Sequence, residues 1–219
     1  MKQLVIAIDG PSGAGKGTIA RTLSRQLGYR HIDTGAMYRA VGWKANLEGI
    51  RLDDEEAVAE LARRADIEVE GGVVSIDGHD VTRAIRTPEI DKTAAAVARL
   101  PRVREIMVTR QRRIGQAGGG VMEGRDIGTV VFPSADVKIY LDASAEERAR
   151  RRARDTAHTG GQAGQEAVAA SIAARDKADT TRTASPLTMA ADAVHIDTTN
   201  MPIDQVVDTV MALVRQRSS

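Results

Sequence analysis

Residues 3–9 (QLVIAID) form a short, nearly continuous apolar run that ends at a glycine-rich turn, the pattern of a strand buried on both faces. The period then changes. From Lys16 to Leu27 the apolar positions Ile19, Ala20, Leu23 and Leu27 recur at helical spacing, and Gly28 supplies the stop. Residues 29–33 predict a second short strand, and residues 36–47 a helix closed by Gly49. Asp53 and Glu56 have the N-cap and N3 spacing of a further helix to about Ala65, with Val58, Leu61 and Ala62 on its inner side. Between 67 and 81 the alternation has a period of two, broken by Gly71-Gly72 and Asp77-Gly78, which predicts a small antiparallel unit.

Helical spacing resumes at Thr87-Pro88, an N-cap followed by proline at the first helical position, and a second helix opens at Pro101 and stops at the glycines of 118–120. Residues 121–123 and Val137–Asp142 read as strands, and Ser144 with Glu147 as a capping box for the next helix. Residues 167–178 are helical, 193–197 form a last strand, and 203–217 form an amphipathic helix. Strands that alternate with helices predict an α/β fold around a central parallel sheet. The boundaries are a core of 1–65 and 87–219 and a small antiparallel insert of 66–86. A short lid at about 148–165 is expected where Gly160, Gly161 and Gly164 interrupt an arginine-rich helix.

Composition narrows the chemistry. The absence of cysteine removes disulfides, thiolate zinc sites and cysteine nucleophiles. The opening apolar run is too short for a signal h-region or a membrane span, so a soluble cytoplasmic protein is expected. Aromatic residues are 2% of the chain and the net charge is +1, which argues against a nucleic-acid-binding surface. Within that near-zero charge lies an imbalance: of 31 basic residues, 25 are arginine. Codon bias explains many of them, but arginine also offers the bidentate fork suited to phosphate.

Gly10-Pro11-Ser12-Gly13-Ala14-Gly15-Lys16-Gly17-Thr18 lies between the first strand and the first helix. That context is what a phosphate-binding loop requires. Glycines let successive amides turn toward a polyphosphate, the helix N-terminus adds partial positive charge, and Lys16 reaches the β- and γ-phosphates of a bound ATP. Gly17 stands where most such loops carry Ser or Thr, and GKGT is the form common in nucleoside monophosphate kinases. Mg2+ is expected with the nucleotide. Asp9, Asp33, Asp126 and Thr18 are its candidate ligands, none decisive, with phosphate oxygens and water as the alternative.

The segment Asp33-Thr34-Gly-Ala-Met-Tyr38-Arg39 resembles the D-[ST]-G-x-x-Y-R segment of bacterial cytidylate kinases. Three further matches follow in order: Pro101-Arg-Val-Arg104; Gly124-Arg125-Asp126 with Gly128-Thr-Val-Val-Phe-Pro133; and Arg175-Asp-Lys-Ala-Asp179-Thr-Thr-Arg182. With the glycine loop they span residues 10–182. The resemblance implies a three-layer P-loop kinase fold and transfer of phosphate from ATP to CMP or dCMP by a monomer. It implies that Thr34, Tyr38, Arg39, Arg104, Arg125, Asp126, Asp179 and Arg182 contact the acceptor nucleotide. Asp126 would take the cytosine amino group, and Asp179 and Arg182 the sugar. In one place the chain departs: several relatives carry Ser before Pro-Arg-Val-Arg where this chain has Ala95, leaving Thr93 or water to make that base contact.

Residues 148–154 hold five arginines in seven positions, which cannot all face one site on a helix. Arg148, Arg151 and Arg152 share one side by i, i+3, i+4 spacing and are the candidates to close over the transferring phosphoryl group. With Lys16, Arg125 and Arg175 they make up the expected catalytic set. Three other readings remain for comparison. A kinase for AMP, UMP or shikimate accounts for the loop but not for the ordered Thr34–Arg182 set. A GTPase-type switch lacks its Asp-x-x-Gly and Asn-Lys-x-Asp elements. A nucleic-acid module is disfavoured by charge and aromatic content.

Overall fold

The computed structural model describes residues 3–116, 118–155 and 164–218. Strand β1 (Val5–Asp9) is the middle of a five-stranded sheet in which every pairing is parallel. Its order is β2–β6–β1–β7–β8, with β2 at Arg30–Asp33, β6 at Gly120–Glu123, β7 at Val137–Asp142 and β8 at Val194–Asp197. Both faces are covered. Ile6 and Ile8 meet Ile19 and Leu23 of α1 (Lys16–Leu27) and Val206, Val210 and Val214 of the last helix, α8 (Ile203–Ser218). Ala7 points the other way, toward Ile32, Met122 and Val108 of α5 (Pro101–Gly115). A strand with protein on both sides has no polar face to present, which is why its apolar residues run consecutively.

A second core lies beside the sheet. Helices α2 (Thr34–Leu47), α3 (Glu55–Arg64) and α4 (Pro88–Val97) enclose Met37, Val41, Leu61 and Val97. The antiparallel unit β3 (Ile67–Glu70), β4 (Val73–Ile76) and β5 (His79–Asp80) adds Ile67, Val74, Ile76, Val81 and Ile85 to that same core. The 66–86 insert therefore buries its apolar side against α2 and α3 rather than enclosing a core of its own. Lys44 of α2 ties to Asp77 of the insert at 2.6 Å.

Local chemistry shifts three expected boundaries. The cap of α3 is Asp54, which accepts from the Ala57 amide at 3.0 Å; Asp53 is occupied by a bidentate pair with Arg51. Helix α2 begins at Thr34, because Asp33 caps it through the Ala36 amide. Ser144 caps α6 (Ala145–Arg154), but the Glu147 carboxylate turns to Arg150 and Arg151 instead of closing the reciprocal half of the box. Helix α7 (Gln165–Thr181) extends beyond the expected 167–178. Residues 156–163 of the expected lid, including Gly160 and Gly161, lie outside the described residues. No described helix is long and apolar enough to cross a membrane.

Candidate active site

All five parallel strands end at the same edge, where an open α/β sheet collects its ligands. The ends of β1, β2, β6, β7 and β8 lead into the glycine loop, Thr34, Gly124, Ala143 and Thr198 respectively.

The loop is shaped by close approaches of backbone to backbone. Gly10 has φ +145°, and a Cβ there would fall 1.9 Å from the Leu141 carbonyl oxygen. Gly13, at φ +80°, would meet the Arg148 carbonyl oxygen at 2.8 Å. No side chain fits at either position. Lys16 is buried and donates to the Pro11 carbonyl at 2.7 Å. Burial, followed by the nearby Arg125 charge, pushes its ammonium down to about 7. Thr18 is exposed at the start of α1, and Ala14 and Ser12 are buried in the loop.

Of the residues expected on the acceptor side, Arg104, Arg125, Asp126, Asp179 and Arg182 form one chain of ion pairs, joined by Arg175. Arg104 and Asp126 are buried partners, Arg182 reaches Asp126 at 3.5 Å and Asp179 at 3.8 Å, and Asp179 also receives Arg125 at 2.7 Å and Arg175 at 3.3 Å. Four guanidiniums thus meet two carboxylates, an excess of two positive charges. The individual groups respond differently: burial pulls Arg104 and Arg125 down, but neighbouring acidic groups, Tyr38 and Asp126 for the first and Asp179 for the second, hold both above the ordinary arginine value. Burial, and then a neighbouring guanidinium in each case, pulls Arg175 and Arg182 below the ordinary arginine value. Burial pushes the Asp179 carboxyl up, but Arg125 and Arg175 reverse this and hold it below the usual carboxylate range. Several buried donors carry no hydrogen bond: Tyr38 Oη, Arg39 Nε, Arg104 Nε and Arg182 Nη2. Tyr38 lies beneath Arg104, with the guanidinium 5.5 Å from the ring centre. Arg39 pairs with Asp33 at 2.9 Å, and Thr34 donates to the Glu123 carbonyl at 2.7 Å.

The lid arginines are already committed. Arg148 donates to the Ser12 and Ala143 carbonyls and pairs with Asp176. Arg151 holds the Thr198 carbonyl at 2.6 Å, its hydroxyl at 2.9 Å and Glu147. Arg152 reaches the Ser12 hydroxyl at 3.3 Å and Asp91 at 3.4 Å. The side shared by helical spacing therefore meets the glycine loop, Arg148 and Arg152 at Ser12 and Arg151 at the Ala14 carbonyl at 3.5 Å, while each arginine also takes a partner of its own. Thr93 is also engaged: its hydroxyl donates to the Glu89 carbonyl and its methyl group packs where a Gly42 side chain would stand. The same hydroxyl accepts from Asn46 at 3.5 Å.

Three of the four candidate metal ligands are occupied. Asp9 accepts the Ile127 and Gly128 amides at 2.8 and 2.7 Å, fixing the π-helical turn Ile127–Val131; burial nonetheless raises its carboxyl to about 6. Asp33 caps α2 and binds Arg39, and Asp126 binds Arg104. The carboxylate that does face the loop is Glu123, which spacing alone passed over as the last residue of a strand. It ends β6, the neighbour of β1, pairs with His31 at 2.8 Å, and would stand 3.1 Å from a Cβ at Gly17. Glu123 takes the space that a serine or threonine after Lys16 would need. Among the described residues, no three Asp, Glu or His side chains are grouped as a metal cage. Asp176, whose place within the Arg175–Arg182 motif carries no sign of its partners, is the other residue that the sequence does not single out.

A family model described as Cytidylate kinase matches residues 6–216. The cytidylate kinase of Pelotomaculum thermopropionicum is 50% identical over 214 residues, covering 95% of each chain. That of Bacillus subtilis (strain 168) is 48% identical over 221 residues, covering 99% of each. Among solved structures, a gluconokinase from Sinorhizobium meliloti aligns with TM-score 0.51 at 15% identity, covering 99% of this chain and 94% of its own. A shikimate kinase from Bacteroides thetaiotaomicron aligns with TM-score 0.51 at 11% identity, covering 97% and 99%. At those identities the structural likeness speaks for the fold alone, that of the P-loop kinases.

Proposed function

Because this chain belongs to the cytidylate kinase family, a group of nucleoside monophosphate kinases, we propose that it moves the γ-phosphoryl group of ATP to CMP and dCMP, giving CDP and dCDP. The observation that carries this reading is the excess of two positive charges in the Arg104–Asp126–Arg182–Asp179–Arg125/Arg175 chain. A nucleotide monophosphate brings up to two negative charges to such a place. The buried donors without hydrogen bonds on Tyr38 and Arg104 suit the carbonyl oxygen and ring nitrogen acceptors of a pyrimidine.

The attacking group is a phosphate oxygen that is already anionic, so a strong general base is not required. The barrier is the repulsion between two polyanions and the entropy of holding them in line. Loop amides and Lys16 receive the donor phosphates; Arg125, Arg175 and Arg39 receive the acceptor phosphate; Arg104, Asp126 and Tyr38 hold the base; Asp179 and Arg182 hold the sugar. Arg148, Arg151 and Arg152 fix the loop against α6 and the Thr198 turn, and transfer follows when both substrates lie between these groups.

Magnesium fits this arrangement as an ion carried by the nucleotide. Phosphate oxygens and water would supply most of its shell, and Glu123 is the carboxylate placed to hold that shell beside Gly17. When bound, the ion draws off charge from the β- and γ-phosphates. In this reading the enzyme is a cytoplasmic monomer whose substrates are small nucleotides rather than nucleic acid or membrane. The test is a coupled assay with Mg–ATP and CMP: turnover with CMP supports the reading, and turnover with a non-nucleotide acceptor in its place refutes it.

A further inference from the structure

Helix α7 meets both halves of the site. Arg175 and Asp179 belong to the acceptor-side chain of ion pairs, and Asp176 turns instead to the glycine loop. Asp176 Oδ1 accepts from the Ser12 amide at 3.2 Å, and its Oδ2 pairs with Arg148. Arg148 in turn donates to the Ser12 carbonyl at 3.1 Å. One ion pair therefore holds both polar atoms of the Ser12 main chain. Ser12 is buried, and the next residue, Gly13, lies directly against the Arg148 backbone, so the loop has little room to move independently of this pair. The Asp176 charge also acts on Arg125, adding to Asp179 in raising its pKa.

We propose that Asp176 is a positioning residue that couples the two nucleotide sites. It rests on the two-nucleotide reading above. An acceptor that settles on Arg125, Arg175 and Asp179 acts on the same helix, three residues and less from Asp176, and a helix transmits such a displacement as a rigid body. The Ser12 peptide and the Arg148 guanidinium, which hold the glycine loop in place, shift with it. Because the coupling is one of binding free energies, each nucleotide tightens the other by the same factor.

The test is calorimetric titration of a non-hydrolysable Mg–ATP analogue, with and without saturating CMP. In the wild type, CMP tightens the analogue by about 5-fold or more. Asp176→Asn keeps an acceptor for the Ser12 amide but loses the charge that holds Arg148; the ratio falls to near one, and CMP alone still binds within about 2-fold of wild type. Lys177→Ala, an exposed change on the same helix, keeps the wild-type ratio. If Asp176→Asn melts early, Arg148→Lys, which leaves Asp176 a cation but cannot also span to the Ser12 carbonyl, must lose the ratio in its place. An undiminished ratio in the folded Asp176 variant, or no coupling in the wild type, overturns the proposal. A wild type that binds no CMP overturns the two-nucleotide reading instead, and that result is distinguishable because it precedes any substitution.

Discussion

The two halves of the site are built from different materials. The donor loop is main chain: amides, close backbone contacts and positive φ angles at Gly10, Gly13 and Gly15, with Lys16 as its principal charged side chain. The acceptor side is side chain: six charged groups, four cationic and two anionic, from α5, the turn after β6, α7 and Arg182 just beyond it. The difference follows from the ligands. A polyphosphate is the same in every nucleoside triphosphate and can be received by peptide groups, whereas a particular monophosphate must be recognised by its base, sugar and phosphate together. A main-chain site fails when a Cβ no longer fits, and a side-chain site fails when a charge loses its partner.

The largest expected effect is at Lys16, the charged side chain of the donor half. Lys16→Ala removes it from the β- and γ-phosphates and lowers turnover by about 10³ or more, while circular dichroism shows an unchanged fold. Full turnover in that variant would remove the loop from the chemistry. Next come Arg125→Ala and Asp126→Asn, each expected to raise the KM for CMP at least about 10-fold and that for ATP less than about 2-fold. Equal effects on both nucleotides would erase the division between the halves. Asp126→Asn also leaves Arg104 and Arg182 short of a counter-charge, a loss of about 3 kcal/mol in a buried network. Saturating CMP is expected to restore part of it in a thermal melt.

Gly10→Ala tests the main-chain half by sterics alone. With the Leu141 oxygen 1.9 Å from the new Cβ, the strand and loop must part, and a loss of about 3 kcal/mol is expected in denaturant titration. Wild-type stability would mean that the close approach is dispensable. The smallest effect is a proton count. Lys16 has its pKa lowered to about 7 in the nucleotide-free protein, so at pH 8 it is mostly neutral. A bound polyphosphate favours its charged form and raises that pKa, so nucleotide binding takes up protons at pH 8 and close to none at pH 6, where Lys16 is already charged. Calorimetry in buffers of different ionisation enthalpy reads this uptake, and Lys16→Met should abolish it.

The two halves were also unequally legible from the amino-acid sequence. A main-chain site writes itself into contiguous letters, because glycines must stand where Cβ atoms cannot, and residues 10–18 sit between β1 and α1 as the pattern requires. The acceptor residues are scattered from Thr34 to Arg182, and only resemblance to a family assembled them; the structure then brings Arg104, Arg125, Asp126, Arg175, Asp179 and Arg182 into one chain of ion pairs. Tertiary pairing was the part that could not be read. Asp9 looked available for a metal but faces the amides of Ile127 and Gly128, far along the chain, and Glu123 looked like a strand residue but borders Gly17. The arginines at 148, 151 and 152 share a side by spacing and all reach the glycine loop, but the further partner of each, Asp176, Thr198 and Asp91, comes from a distant part of the chain. Helical period fixes the direction of a side chain and leaves its partner to the fold.

The central claim is that the acceptor side is a receptor for one kind of monophosphate. A coupled assay that offers Mg–ATP with CMP, dCMP, UMP and AMP in turn tests it most directly. The account predicts rapid turnover with CMP and dCMP and at least about 10-fold lower kcat/KM with AMP, whose larger base lacks the pyrimidine edge proposed for Tyr38, Arg104 and Asp126. Preference for AMP, or equal use of all four, would contradict it.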